Sequence, residues 1–151
     1  MREILFRGMT IREKWVYGNL IKTDKGYLIN HSLDFATKVS PNDKYAFALF
    51  EDEISAVSKN TIGQYTGLKD KNGKMIFEGD IIRSTFDYKE TNEVIIGVVE
   101  VDKYNPCFVI HYKYNGNKHD CYEYDFIQCY LRTNEVIGNI HDNPELITNP
   151  K

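Results

Sequence analysis

Thr61-Ile62-Gly63-Gln64-Tyr65-Thr66-Gly67-Leu68-Lys69-Asp70-Lys71-Asn72-Gly73-Lys74-Met75-Ile76-Phe77-Glu78-Gly79-Asp80-Ile81-Ile82 is the stretch whose reading decides the fold. Two short apolar runs flank Asp70-Lys71-Asn72-Gly73. Asn-Gly between alternating hydrophobic residues is the strongest short-range hairpin signal, because both residues tolerate positive φ. Glu78-Gly79-Asp80 then interrupts the chain before a new β-branched run begins at Ile81. Glycines at 63, 67, 73, 79 and 138 fall at strand edges and turns, where a missing Cβ permits φ > 0 or a close backbone approach. Asp70 and Asp80 can accept backbone N–H groups in their turns. Turn chemistry therefore explains Gly67, Asp70, Gly73, Gly79, Asp80, Gly138 and Asn139 as architecture, without a ligand.

Working outward, Ile81-Ile82-Arg83-Ser84-Thr85-Phe86 and Val94-Ile95-Ile96-Gly97-Val98-Val99-Glu100-Val101 read as strands, with the polar residues 87–93 as the loop between them. A second Asn-Gly, Asn115-Gly116, joins Cys107-Phe108-Val109-Ile110-His111-Tyr112 to residues 118–124. Glu135-Val136-Ile137-Gly138-Asn139-Ile140 closes the strand set, and Asp142-Asn143-Pro144-Glu145-Leu146 reads as a cap followed by one helical turn. On the N-terminal side, Glu3-Ile4-Leu5-Phe6-Arg7, Trp15-Val16-Tyr17-Gly18-Asn19-Leu20-Ile21 and Tyr27-Leu28-Ile29 are short strands, the last two joined across Asp24-Lys25-Gly26 as a hairpin. Residues 31–50 carry both a helix start at Ser40-Pro41 and a strand-like alternation through Tyr45-Ala46-Phe47-Ala48-Leu49-Phe50, and stay undecided. The expected fold is mainly β: a compact antiparallel barrel over 61–151 beside a smaller N-terminal β subdomain over 1–60.

The arginine and isoleucine start Arg2-Glu3-Ile4 with Phe6-Arg7, the stretch from Thr61 to Ile82, and Glu135-Val136-Ile137-Gly138-Asn139-Ile140 with Asn143-Pro144-Glu145-Leu146 together resemble the signatures of the YopX family of phage and prophage proteins. The resemblance is silent over residues 31–50 and 102–134. It implies that the second-half barrel is SH3-like and that the chain has a phage origin in a bacterial host. It implies no activity.

Composition narrows the function classes. At 151 residues, 42% hydrophobic and 27% charged, the chain can bury a core of one domain or two small ones. Eleven Tyr and eight Phe against one Trp suit a pleated, half-buried surface. Net charge is -3, with 9 basic and 8 acidic residues up to Asn60 and 10 and 14 after it. Duplex DNA is therefore a poor partner, since its affinity rests on neutralised phosphates, although a local patch escapes such a count. Cys107, Cys121 and Cys129 lack C-x-x-C spacing, Met1 to Gly8 lacks an apolar signal region, and no apolar run nears a bilayer span, so a cytoplasmic location is expected.

The side chains present offer three chemistries. His111, His119, Cys121 and Cys129 supply zinc-ligand types, but the Asn115-Gly116 register sets His111 opposite Asp120 and Ile110 opposite Cys121, which splits the cluster between faces. No metal or other cofactor is expected. Glu78 with Asp80, and Asp142 with Glu145, are carboxylate pairs that turn and cap roles explain, and no nucleophile or phosphate-loop motif is present. Enzymatic turnover ranks third. Aromatic surface is the remaining chemistry: Phe86, Tyr104, Tyr122, Tyr124 and Tyr130 join the candidate binding rings Tyr65, Tyr88, Tyr112 and Tyr114. These rings suit a partner or a self-association surface. The expected function is thus a non-catalytic protein-interaction module, homo-oligomeric and bound to a host or phage protein, with single-stranded nucleic-acid binding as the alternative.

Overall fold

The computed structural model describes residues 4–31, 53–88, 91–104, 107–113 and 133–148. They form two antiparallel sheets and one short helix, so the chain is mainly β. The chain forms two compact units, 1–65 and 66–151, with the division falling inside one strand. That strand, β5 (Gly63–Lys69), begins by pairing with the N-terminal strand, Phe6 to Gln64 and Arg7 to Gly63.

In the first unit, β1 (Phe6–Met9), β2 (Trp15–Lys22), β3 (Tyr27–Asn30) and β4 (Ile54–Val57) lie in the order β4-β3-β2-β1-β5. The hairpin expected across Asp24-Lys25-Gly26 is present, with Lys22 paired to Tyr27 and the Thr23 N–H donating to the Gly26 carbonyl at 2.8 Å. Strand alternation sends Val16 inward between the more exposed Trp15 and Tyr17. Val16, Ile29 and Val57 make the core, with Phe6, Leu20, Tyr27 and Ile62 packed against it. The sheet curls strongly: Val57 bridges back to Thr10, and the Ser58 N–H donates to the Met9 carbonyl at 2.9 Å. Gly18 makes this curl possible, since a Cβ there would sit 1.9 Å from the Asn30 carbonyl oxygen.

In the second unit β5 runs on beside β6 (Met75–Phe77), and the second sheet has the order β10-β7-β8-β9. Its strands are β7 (Asp80–Tyr88), β8 (Thr91–Val101), β9 (Phe108–Lys113) and β10 (Glu135–Asn139). Ile76, Ile82 and Val99 are fully buried, and with Ile110 and Val136 they form the core, flanked by Leu68 and Phe108. Burying each such aliphatic side chain contributes about 1.5–3 kcal/mol. The helix α1 (Glu145–Thr148) follows the cap region, where Asn139 Oδ1 accepts the N–H groups of His141 and Asp142.

Among the described residues the second sheet is open, with β9 and β10 at its ends, and no closed barrel forms. One connection differs from the sequence reading. Residues 87–93 were expected to be a loop, yet β7 and β8 pair out through Phe86 with Glu93, Asp87 with Asn92 and Tyr88 with Thr91. Antiparallel ladders need backbone partners rather than apolar side chains, and Phe86, Tyr88 and Thr91 are strand formers interleaved with the polar residues. Residues 32–50, where the sequence left helix and strand open, and the Asn115-Gly116 hairpin with its His111–Asp120 pair, lie outside the described residues.

Candidate functional site

The turn residues that dominate the quoted stretch are largely buried in backbone duties. Asp70 is 6% exposed. Its Oδ1 accepts the N–H groups of Asn72 at 2.8 Å and Lys74 at 2.9 Å, and its Oδ2 accepts that of Val136 in β10 at 3.0 Å. The Lys71 N–H donates to the Asn134 carbonyl at 3.0 Å, and Ser84 Oγ donates to Asn134 Oδ1 at 2.5 Å. One carboxylate thus closes its own turn and fastens that turn to β10. Asp80, also buried, accepts the Phe77 N–H at 2.8 Å. Between them Gly79 has φ 80°, donates to the Val99 carbonyl and accepts from the Ile140 N–H. Gly67 and Gly73 share positive φ, at 85° and 82°. Gly138 sits at a bulge in the β10–β7 ladder, against the Asn143 side chain.

The candidate binding rings disperse. Tyr65 is 7% exposed, a buried ring. Tyr88 and Tyr112 occupy ladder positions opposite Thr91 and Gly97, and Tyr114 lies outside the described residues. Of the four metal-ligand types only His111 is described; its Nε2 lies 3.6 Å from Glu100 Oε2. Among the described residues no group of three or more His, Cys, Asp or Glu converges on a point.

A different ring stands out. β8 and β9 separate after the Val101–Phe108 pair, and the turn between them is held by buried Asp102. Its Oδ1 accepts the Tyr104 N–H at 2.8 Å, while its own N–H donates to the Cys107 carbonyl at 2.9 Å. With Asp102 facing inward, Tyr104 projects and is 80% exposed. Lys103 Nζ stands 5.5 Å from the Tyr104 ring centroid, within cation–π range. Val101, at the end of β8, is 48% exposed, and Cys107 is a free, exposed cysteine. The signal was present in Asp102-Lys103-Tyr104-Asn105-Pro106, since an Asx turn and Asn-Pro mark a tip whose aromatic residue reaches no core.

The family model described as YopX protein matches residues 5–148. The chain belongs to the YopX family. The crystal structure of protein EF1440 from Enterococcus faecalis is similar to this YopX chain, at 25% identity over 97% of this chain and 99% of that one, with a TM-score of 0.52. No curated protein sequence matches it. In this YopX chain Asp70, Gly73, Gly79 and Asp80 make backbone hydrogen bonds at their turns, while Gly63, Gly67 and Gly138 lie within strands, and among the described residues no helix is long and apolar enough to cross a membrane.

Proposed function

We propose that this YopX chain, a phage or prophage protein of the bacterial cytoplasm, acts by binding a partner protein and turns over no substrate, with the β8–β9 turn as its contact. The single observation that carries this reading is Tyr104, 80% exposed on a turn stiffened by Asp102. A Tyr with two side-chain torsions loses little entropy on docking and supplies amphipathic area, which is why Tyr concentrates where interfaces gain most of their energy. Asp70 and Asp80 of the family signature support the same reading, because their carboxylate oxygens already accept backbone N–H groups.

Photo-crosslinking tests it. A benzophenone amino acid placed at position 104 in the bacterial host is expected to give a discrete adduct that the same probe at exposed Lys25 does not. The same faint ladder at both positions would end the proposal. Single-stranded nucleic acid remains the second reading because Lys103 beside Tyr104 is also a stacking arrangement. A gel shift with short single strands that weakens with salt and is lost in Tyr104→Ala would favour it.

A further inference from the structure

Asn72-Gly73, in the turn that fastens β10, is also the dipeptide from which an asparagine amide is lost most readily, because glycine presents its backbone nitrogen with no side chain to hinder attack. Both residues are exposed. In the ring-closing step Gly73 N gives its proton to hydroxide from the solvent and bonds to Asn72 Cγ, and the Cγ–Nδ2 bond breaks as ammonia leaves with a proton from water. Water then opens the cyclic imide at one carbonyl or the other, which leaves an aspartate or an isoaspartate at position 72. Two things slow such a step: crowding around the glycine, and engagement of its N–H. Crowding is absent on the side a Cβ would occupy, since an atom built there on Gly73 meets nothing within 4 Å. Engagement is present. The Gly73 N–H donates to the Asp70 carbonyl at 3.0 Å, and the Asp70 N–H donates to the Lys74 carbonyl at 2.8 Å. Asp70 Oδ1 closes the same turn from the side chain, accepting the N–H groups of Asn72 at 2.8 Å and Lys74 at 2.9 Å.

We propose that Asn72 is a spontaneous deamidation site controlled by Asp70: its amide is converted only when the Asp70–Lys74 turn opens, and the isoaspartate formed releases β10. While the turn is closed, the proton that must leave Gly73 N lies in the hydrogen bond to the Asp70 carbonyl. Only the open turn offers that proton to solvent base, so the rate follows the open fraction, a local-unfolding quantity. The product acts back on the fold. An isoaspartate routes the main chain through Cβ and Cγ of residue 72, which adds an atom between the two N–H groups that share Asp70 Oδ1. It also sets a new carboxylate close to the Asp70 carboxylate, and like charges at such a spacing repel. Asp70 Oδ2 accepts the Val136 N–H at 3.0 Å, so displacing that carboxylate loosens the start of β10.

Peptide mapping of the full chain, incubated near neutral pH both folded and unfolded in urea, tests this, with isoaspartate told from aspartate by fragmentation. Conversion at Asn72 is expected to be at least about ten-fold slower in the folded chain, because only the open fraction reacts. Hydrogen exchange of the Gly73 amide, which needs the same proton to leave, measures that fraction independently, and its protection factor should match the slow-down. Asp70→Asn, verified as folded by circular dichroism, should speed conversion at Asn72 several-fold. In chains isolated with isoaspartate at position 72, the Val136 amide should exchange faster than in the unmodified protein while the β7–β8 ladder keeps its protection. Equal rates in folded and unfolded chain, conversion faster than the Gly73 protection allows, or a folded Asp70→Asn chain that converts no faster would overturn control by the turn. Unchanged Val136 exchange in the modified chain would overturn the release of β10.

Discussion

Asp70 shows how one residue ties chemistry to fold. Burial acts to raise its pKa, but the N–H groups of Val136, Lys74 and Asn72, together with the Lys74 charge, outweigh that and hold it below the ordinary value. A carboxyl depressed in the folded state adds stability that is present above the unfolded pKa, about 3.9, and is lost as pH falls through the lower folded value. Asp70→Asn offers one acceptor oxygen where the carboxylate has two and turns an NH2 toward backbone N–H groups. We expect it to destabilise by about 1–3 kcal/mol near neutral pH. Urea denaturation at pH 7 and below pH 4 should show the wild type losing its advantage on acidification, and parallel pH profiles for the two proteins would refute the role. Gly18 is a steric counterpart. With a Cβ placed 1.9 Å from the Asn30 carbonyl oxygen, Gly18→Ala must push β2 and β3 apart, at a cost of about 1–3 kcal/mol or more. A Gly18→Ala protein with an unaltered urea midpoint would show that the curl of the first sheet is not set there.

At the level of elements, β10 is fastened by the Asp70-Lys71 turn as well as by its own ladder, through Val136 N–H to Asp70 and, just before the strand, Lys71 N–H to the Asn134 carbonyl. Hydrogen exchange should find the Val136 and Lys71 amides protected about as well as the β7–β8 ladder, and Asp70→Asn should speed Val136 selectively. Uniform acceleration across β7, β8 and β10 would mean that β10 has no separate fastening. Most strands were legible because each is a short apolar run between turn residues: Met75–Phe77 and Trp15–Lys22 are bounded by Gly, Asn and Asp. The polar end of the β7–β8 hairpin was not, because a ladder there rests on backbone pairing that leaves no hydrophobic pattern. The bulge between Val136 and Gly138 was equally hidden, since one extra residue in a strand shifts register without altering composition. The exposure of Tyr104 follows from Asp102 turning inward, so it was legible in the turn residues around it and not in the count of aromatic residues.

For the whole molecule, the described residues hold two separate small cores, one on Val16, Ile29 and Val57 and one on Ile76, Ile82, Val99, Ile110 and Val136. Small cores are marginal, and assembly through Tyr-rich surface is one way to add burial. We therefore expect a homo-oligomer at tens of micromolar by light scattering coupled to size exclusion, and a strictly monomeric mass would remove that expectation. The central claim is a division of labour: the YopX signature holds the fold, and the exposed β8–β9 turn meets the partner. Thermal denaturation of Gly79→Ala beside Tyr104→Ala tests it most directly, because Gly79 has φ 80° and Tyr104 is 80% exposed. An alanine forced into positive φ costs about 1 kcal/mol or more, which lowers Tm by at least about 3 °C in a domain of this size. The account predicts that loss for Gly79→Ala and a wild-type melting curve for Tyr104→Ala; a wild-type curve for Gly79→Ala would contradict it and mark the Glu78-Gly79-Asp80 turn as a ligand site instead.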